Sequence, residues 1–125
     1  MRFWLPALGL FCAVSASLQA QAAEDERLTC SAYYMLLSVP GDQPDLTRDQ
    51  ASAASYAFVK QIGDTPETQE LLVGKLMELR GTMPGKMTAE GVAKVRAEHD
   101  ARCRELLKSA WCAAYKGRGP KACVE

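Results

Sequence analysis

The sequence is poor in the residues on which small-domain chemistry usually rests. It has one histidine, His99, in 125 residues. It has no C-x-x-C, no H-E-x-x-H, no G-x-S-x-G and no glycine-rich phosphate loop. The first absence removes the thiol pair in which one sulfur resolves the mixed disulfide of the other. The others remove the common zinc-hydrolase, serine-hydrolase and nucleotide arrangements. No segment alternates apolar and polar residues for the length of a strand, so a β fold is not expected. No excess of either charge marks the whole chain, whose formal net charge is zero. Its basic residues are interspersed with acids and lack interleaved aromatics, which argues against a nucleic-acid surface.

Only one long apolar run is present, and it lies at the start. Residues 1–22 read MRFWLPALGLFCAVSASLQAQA, with Arg2 ahead of the run and small residues in A-x-A order after it. That is the form of a secretory signal peptide, with cleavage expected near Ala22 or Ala20. The run is shorter than the roughly 20 residues of a membrane-spanning helix. Phe11 precedes Cys12 within the apolar core, so Cys12 does not fit a lipidation signal. Residues 23–125 are then expected to form a single helical domain, periplasmic or secreted, with no membrane span.

Four cysteines remain beyond that segment: Cys30, Cys103, Cys112 and Cys123. An even number in a small exported domain reads as two disulfides. Zinc sites use cysteines two to four residues apart, whereas here 72, 8 and 10 residues intervene. Helix phase selects among the pairings. Cys103 and Cys112 lie in one helical pattern, where nine steps turn about 900° and rise about 13.5 Å. A disulfide needs Cα atoms within roughly 7 Å, so these two do not pair with each other. In an up-and-down bundle Cys30 lies nearer the level of Cys103 than of Cys112. The turn Gly117-Arg118-Gly119-Pro120 can bring Cys123 back to Cys112. The preferred pairs are Cys30–Cys103 and Cys112–Cys123.

Four segments carry helical spacing, separated by glycine- and proline-rich breaks. The first, about 24–38, opens on Glu24-Asp25-Glu26 and carries two apolar stripes, which predicts burial over much of its circumference. The second, about 48–62, follows the capping box Thr47…Gln50 and is rich in alanine, as at a close helix approach. The third, about 66–80, starts at Thr65-Pro66 and carries Leu71, Leu72, Val73, Leu76, Met77 and Leu79. Gly74 in its middle predicts a close crossing. The fourth, about 89–116, follows Thr88 and places Val92, Val95, His99, Cys103, Leu106, Ala110 and Ala113 on one stripe. Glu98–Arg102 and Asp100–Arg104 have the spacing of i,i+4 ion pairs. The fold class expected is all-α, a small disulfide-stabilised bundle of about four helices, up-and-down.

Charge is unequal along the domain. Residues 23–80 hold 5 basic and 10 acidic side chains; residues 81–125 hold 9 and 5. The simplest use of that split is ion pairing within the bundle. No catalytic residue, metal site or cofactor is expected. Tyr33, Tyr34, Trp111 and Tyr115 form the candidate interface, since tyrosine and tryptophan anchor many contacts. The function expected is an exported, non-catalytic protein-binding module: an inhibitor, an immunity-type protein or an accessory of a secretion or surface assembly. Its partner would be another protein in the periplasm or extracellular space. The alternative is a periplasmic stress or folding helper. A third reading is a small enzyme or metal carrier using His99, with Cys103, Met83 and Met87 as further ligands.

Overall fold

Three of the four helices begin where threonine can take up the free N–H groups of a first turn. A computed structural model describes residues 9–81 and 87–114, with side chains from residue 17 onward. Helix α2 spans Arg48–Ile62, α3 Pro66–Gly81 and α4 Ala89–Ala114. Thr47 accepts from the Gln50 N–H at 3.1 Å while the Gln50 side chain accepts from the Thr47 N–H at 3.0 Å. Thr65 accepts from the Thr68 N–H at 3.2 Å, and Thr88 from the Gly91 N–H at 3.0 Å. Each such cap is worth about 1 kcal/mol. At the far end of α2, Gly63 adopts φ +124°, which a side-chain-bearing residue rarely tolerates, and its N–H closes on the Val59 carbonyl at 2.8 Å.

Helix α1 spans Gly9–Ser38 and starts earlier than the expected residue 24. The stretch from Ala13 to Ala23 is rich in alanine, the strongest helix former, so its own propensity favours the longer helix. Among the residues whose burial is described, Leu28 is the first fully buried one; residues 17–20 are exposed, Leu18 among them. Glu24-Asp25-Glu26 therefore lies inside a helix and not at its start. Its acids are used between helices: Asp25 meets Lys75 of α3 at 2.9 Å, and Glu26 meets Arg102 of α4.

The result is a small all-α bundle organised around α1. That helix packs against α2, α3 and α4, and α2 also packs against α4. Tyr33, Tyr34, Leu36 and Leu37 from α1 join Phe58 and Val59 from α2, Leu72 and Leu79 from α3, and Val95 from α4 in one core. The alanine-rich face of α2 allows the close approach expected of it. Ser31 donates to the Ser55 carbonyl at 2.9 Å and Ser55 donates to the Ser31 carbonyl at 2.8 Å, so side chains of two atoms bridge the helices. Along α1 and α4 the pairing descends on one as it rises on the other, Glu26 with Arg102 and Tyr33 with Asp100, the sense of an antiparallel pair.

The Cys30–Cys103 disulfide is present, with Cα atoms 5.3 Å apart. Cys112 is also disulfide-bonded; its expected partner, Cys123, lies outside the described residues. Gly74 is not at a crossing. It is exposed, and a Cβ placed on it would meet nothing within 4 Å. Leu71, Val73 and Met77 are exposed as well, so α3 contributes only Leu72, Leu79 and the half-buried Leu76 to the core. Of the two expected pairs along α4, Asp100–Arg104 forms at 2.9 Å, whereas Arg102 turns to Glu26 and to Glu105. Among the described residues, no helix is long and apolar enough to cross a membrane.

Candidate functional site

Arg96, Asp100 and Arg104 recur every four residues along α4, so they share one face of it. The connection between α1 and α2 brings Asp45 to that face. Gln43 and Leu46 exchange backbone bonds at 2.9 and 3.3 Å, and Asp42 accepts from the Arg48 N–H at 2.8 Å. This closes a tight turn with Asp45 at its tip. Arg96 grips Asp45 through two N–H···O contacts of 2.8 and 2.5 Å, in the fork geometry that guanidinium and carboxylate share. Its Nη1 also donates to Gln43 Oε1 at 2.7 Å. Arg104 donates to Asp45 at 2.7 Å and contacts Asp100 at 2.9 Å. Asp100 accepts the Tyr33 hydroxyl at 2.6 Å. Two arginines, two carboxylates and a phenol thus form one compensated network joining α1, the turn and α4.

Hydrogen bonds and burial set the protonation of groups in and around the network. Hydrogen bonding from Arg96 holds the Asp45 carboxyl well below the usual carboxylate range, and hydrogen bonding from Arg102 lowers Glu26. Burial, with the Asp100 hydrogen bond second, moves Tyr33 far up; burial pushes Tyr34 up to about 12. Hydrogen bonds to carboxylates move Lys75, Arg96 and Arg102 up. All seven move away from neutrality.

An acid series tests the network. A carboxyl whose folded pKa is depressed contributes stability that is present in full above its unfolded pKa, about 4. That contribution is lost as pH falls through the folded value. Asp45 and Glu26 are both of this kind. The urea midpoint is expected to hold from pH 7 to about 5 and to fall steadily below that. Asp45→Asn with Glu26→Gln should lower the midpoint at pH 7 and flatten the acid fall. An equal acid fall in wild type and double variant would place the linkage in other groups.

Beside the network lies a cleft of about 480 Å³. Its walls come from α1 (Tyr34), the turn (Asp45, Leu46), α2 (Gln50, Ala54) and α4 (Asp100, Arg104, Leu107, Lys108, Trp111, Cys112). Tyr34, Leu46, Ala54, Leu107 and Trp111 make an apolar interior, and the charged residues form the rim.

The candidate interface residues separate. Tyr33 and Tyr34 are 0% and 2% exposed, so they are core residues and not a surface anchor. Helix α1 has neighbours on several sides, which covers two adjacent side chains pointing about 100° apart. Trp111 is half-buried in the cleft wall; Tyr115 lies outside the described residues. His99 is half-buried, with its ring 6.0 Å from that of Tyr33 and its Nε2 3.8 Å from Glu98. Cys103, its expected co-ligand in a metal-carrier reading, has its sulfur committed to Cys30. Met87 packs against the core, and Met83 lies outside the described residues. Sequence reasoning misses the cleft. Asp100–Arg104 is visible as a pair, but Asp45 lies 51 residues from Arg96, beyond any local pattern.

Comparison with known proteins adds no relative: no family model, no curated protein and no solved structure matches this chain.

Proposed function

We propose that this chain is an exported, non-catalytic binding module whose partner is another protein of the same compartment. The observation that carries the reading is the outer face of α3. Val73 and Met77, four residues apart and so on one face, are 55% and 68% exposed, on a helix whose other face already serves the core. Single exposed apolar residues are ordinary, but a neighbouring pair of large ones on one helix face suits a contact surface. The buried Cys30–Cys103 bridge supports export, because such disulfides persist in oxidising compartments. The form of residues 1–22 supports it too, and the first fully buried residue among those whose burial is described is Leu28.

The test is affinity capture from periplasmic or secreted extract by wild type and by Val73→Glu/Met77→Glu. Wild type should retain a saturable protein partner, and the double variant should lose it at an unchanged melting temperature. The exported form should begin at Ala23 or Gln21. No saturable partner, or equal retention by the variant, would sink the reading, as would an α3 face that proves to pair two copies of this chain. A second reading, a folding helper opened by acid, is favoured by one feature: the Asp45–Arg96 clamp beside the apolar cleft weakens as Asp45 is protonated. A dye that reports exposed apolar surface, followed through the same acid series, would remove it by showing no change between pH 7 and 2.

A further inference from the structure

We infer that the cleft between the α1–α2 turn, α2 and α4 is a binding site for a small amphiphilic anion: one acidic head on a medium-length alkyl or single-ring body. No residue of α3 lines this cleft, so the inference stands apart from the proposed protein-binding face. A volume of about 480 Å³ is that of a small-molecule site, and the interior is mostly apolar. Such a ligand also needs polar groups that the fold leaves unused, and two are present.

The first is the Tyr34 hydroxyl. Tyr34 is 2% exposed and lines the cleft, yet its hydroxyl makes no hydrogen bond among the described residues. The hydroxyl is not among the buried unpartnered side-chain atoms, so it opens to the cleft, where a ligand can take it up. Its neighbour Tyr33 shows the contrast, with its hydroxyl fully used by Asp100. Burial keeps the Tyr34 phenol protonated, so it is available as a donor.

The second is Lys108. The four other charges near the rim cancel: Arg96 and Arg104 against Asp45 and Asp100, all in contact. Lys108 is left as the one rim cation with no ion-pair partner among the described residues. The charge left for a ligand at the rim is therefore the Lys108 ammonium, which an anionic head can meet without breaking an ion pair. An anionic head between Lys108 and Tyr34, with its body against Leu107 and Trp111, uses each group.

The experiment is an NMR titration of the full chain with decanoate, and with decylammonium and decanol as controls of equal length. Decanoate should give saturable shifts at the Trp111 indole N–H and the Leu107 methyls, with the controls at least several-fold weaker. Tyr34→Phe should weaken decanoate about tenfold, the usual scale for a hydrogen bond to a charged group. Lys108→Glu should weaken it roughly threefold or more, as befits a rim charge. Neither variant should change the melting temperature, because neither group has a described partner to lose. Decylammonium binding as tightly as decanoate, shifts confined to residues outside the cleft, no saturation, or affinity untouched by both variants would each overturn the inference.

Discussion

Replacing Cys30 and Cys103 together by alanine is expected to lower the unfolding free energy by about 4 kcal/mol. The bridge joins residues 73 apart, so in the unfolded chain it closes a loop of more than half the sequence. Removing it restores the conformational freedom of that loop to the unfolded state, and the cost grows with the logarithm of loop length. The total stability of a domain of this size is about 5–15 kcal/mol, so the loss is a large fraction of it. The bridge also joins α1, around which the bundle is organised, to α4, which packs against it along a restricted zone. Without the bridge, the polar links between α1 and α4 include Tyr33–Asp100 and Glu26–Arg102, beside the Tyr33–His99 ring contact and the shared core. Urea unfolding of wild type and double variant, both in oxidising buffer, measures the effect. A difference under about 1 kcal/mol would mean that the unfolded chain holds its ends together by other means. Both cysteines are nearly inaccessible, at 1% and 2% exposure. Reductant should therefore act on wild type at the rate of unfolding, far more slowly than on the unfolded chain.

That pairing is legible in the sequence because helix phase and helix level restrict it. Cys103 and Cys112 share a helix half a turn out of register, which leaves Cys30 as the partner for one of them. The starts of α2, α3 and α4 are legible for a related reason: Thr47, Thr65 and Thr88 act within three residues of their own position. What the sequence hides depends on which helix lies next to which. Gly74 looks like a crossing point in a helix rich in leucine, but among the described residues a Cβ there would meet no neighbour. Leu71, Val73 and Met77 look like core for the same reason and are exposed. The cleft depends on a turn delivering Asp45 to arginines 51 and 59 residues away. Neither partner carries a local mark of the other. The exposed face of α3 and the cleft both fall in this second category.

Tyr33 offers the sharpest test of core against interface. As an interface anchor it would tolerate truncation without loss of stability, and only partner binding would suffer. As a core residue it should not tolerate it. Its ring is 0% exposed and packs edge-on against Tyr34 with centroids 5.0 Å apart. Tyr33→Ala should cost about 4 kcal/mol, the scale for deleting a buried aromatic ring. Tyr33→Phe keeps the ring and removes only the 2.6 Å bond to Asp100. It should cost about 1–2 kcal/mol, since a hydrogen bond to a charged acceptor is lost while Arg96 and Arg104 still hold the carboxylate. The order of the two variants separates their causes. Equal losses would mean that the hydroxyl, and not the ring, carries the residue's contribution. No loss in either would return Tyr33 to the surface and contradict the packing of α1. A large loss for alanine with a small one for phenylalanine makes Tyr33 the point where the apolar core meets the charge network. Ring packing then sets the height of α1, and the hydroxyl sets the register of α4 against it.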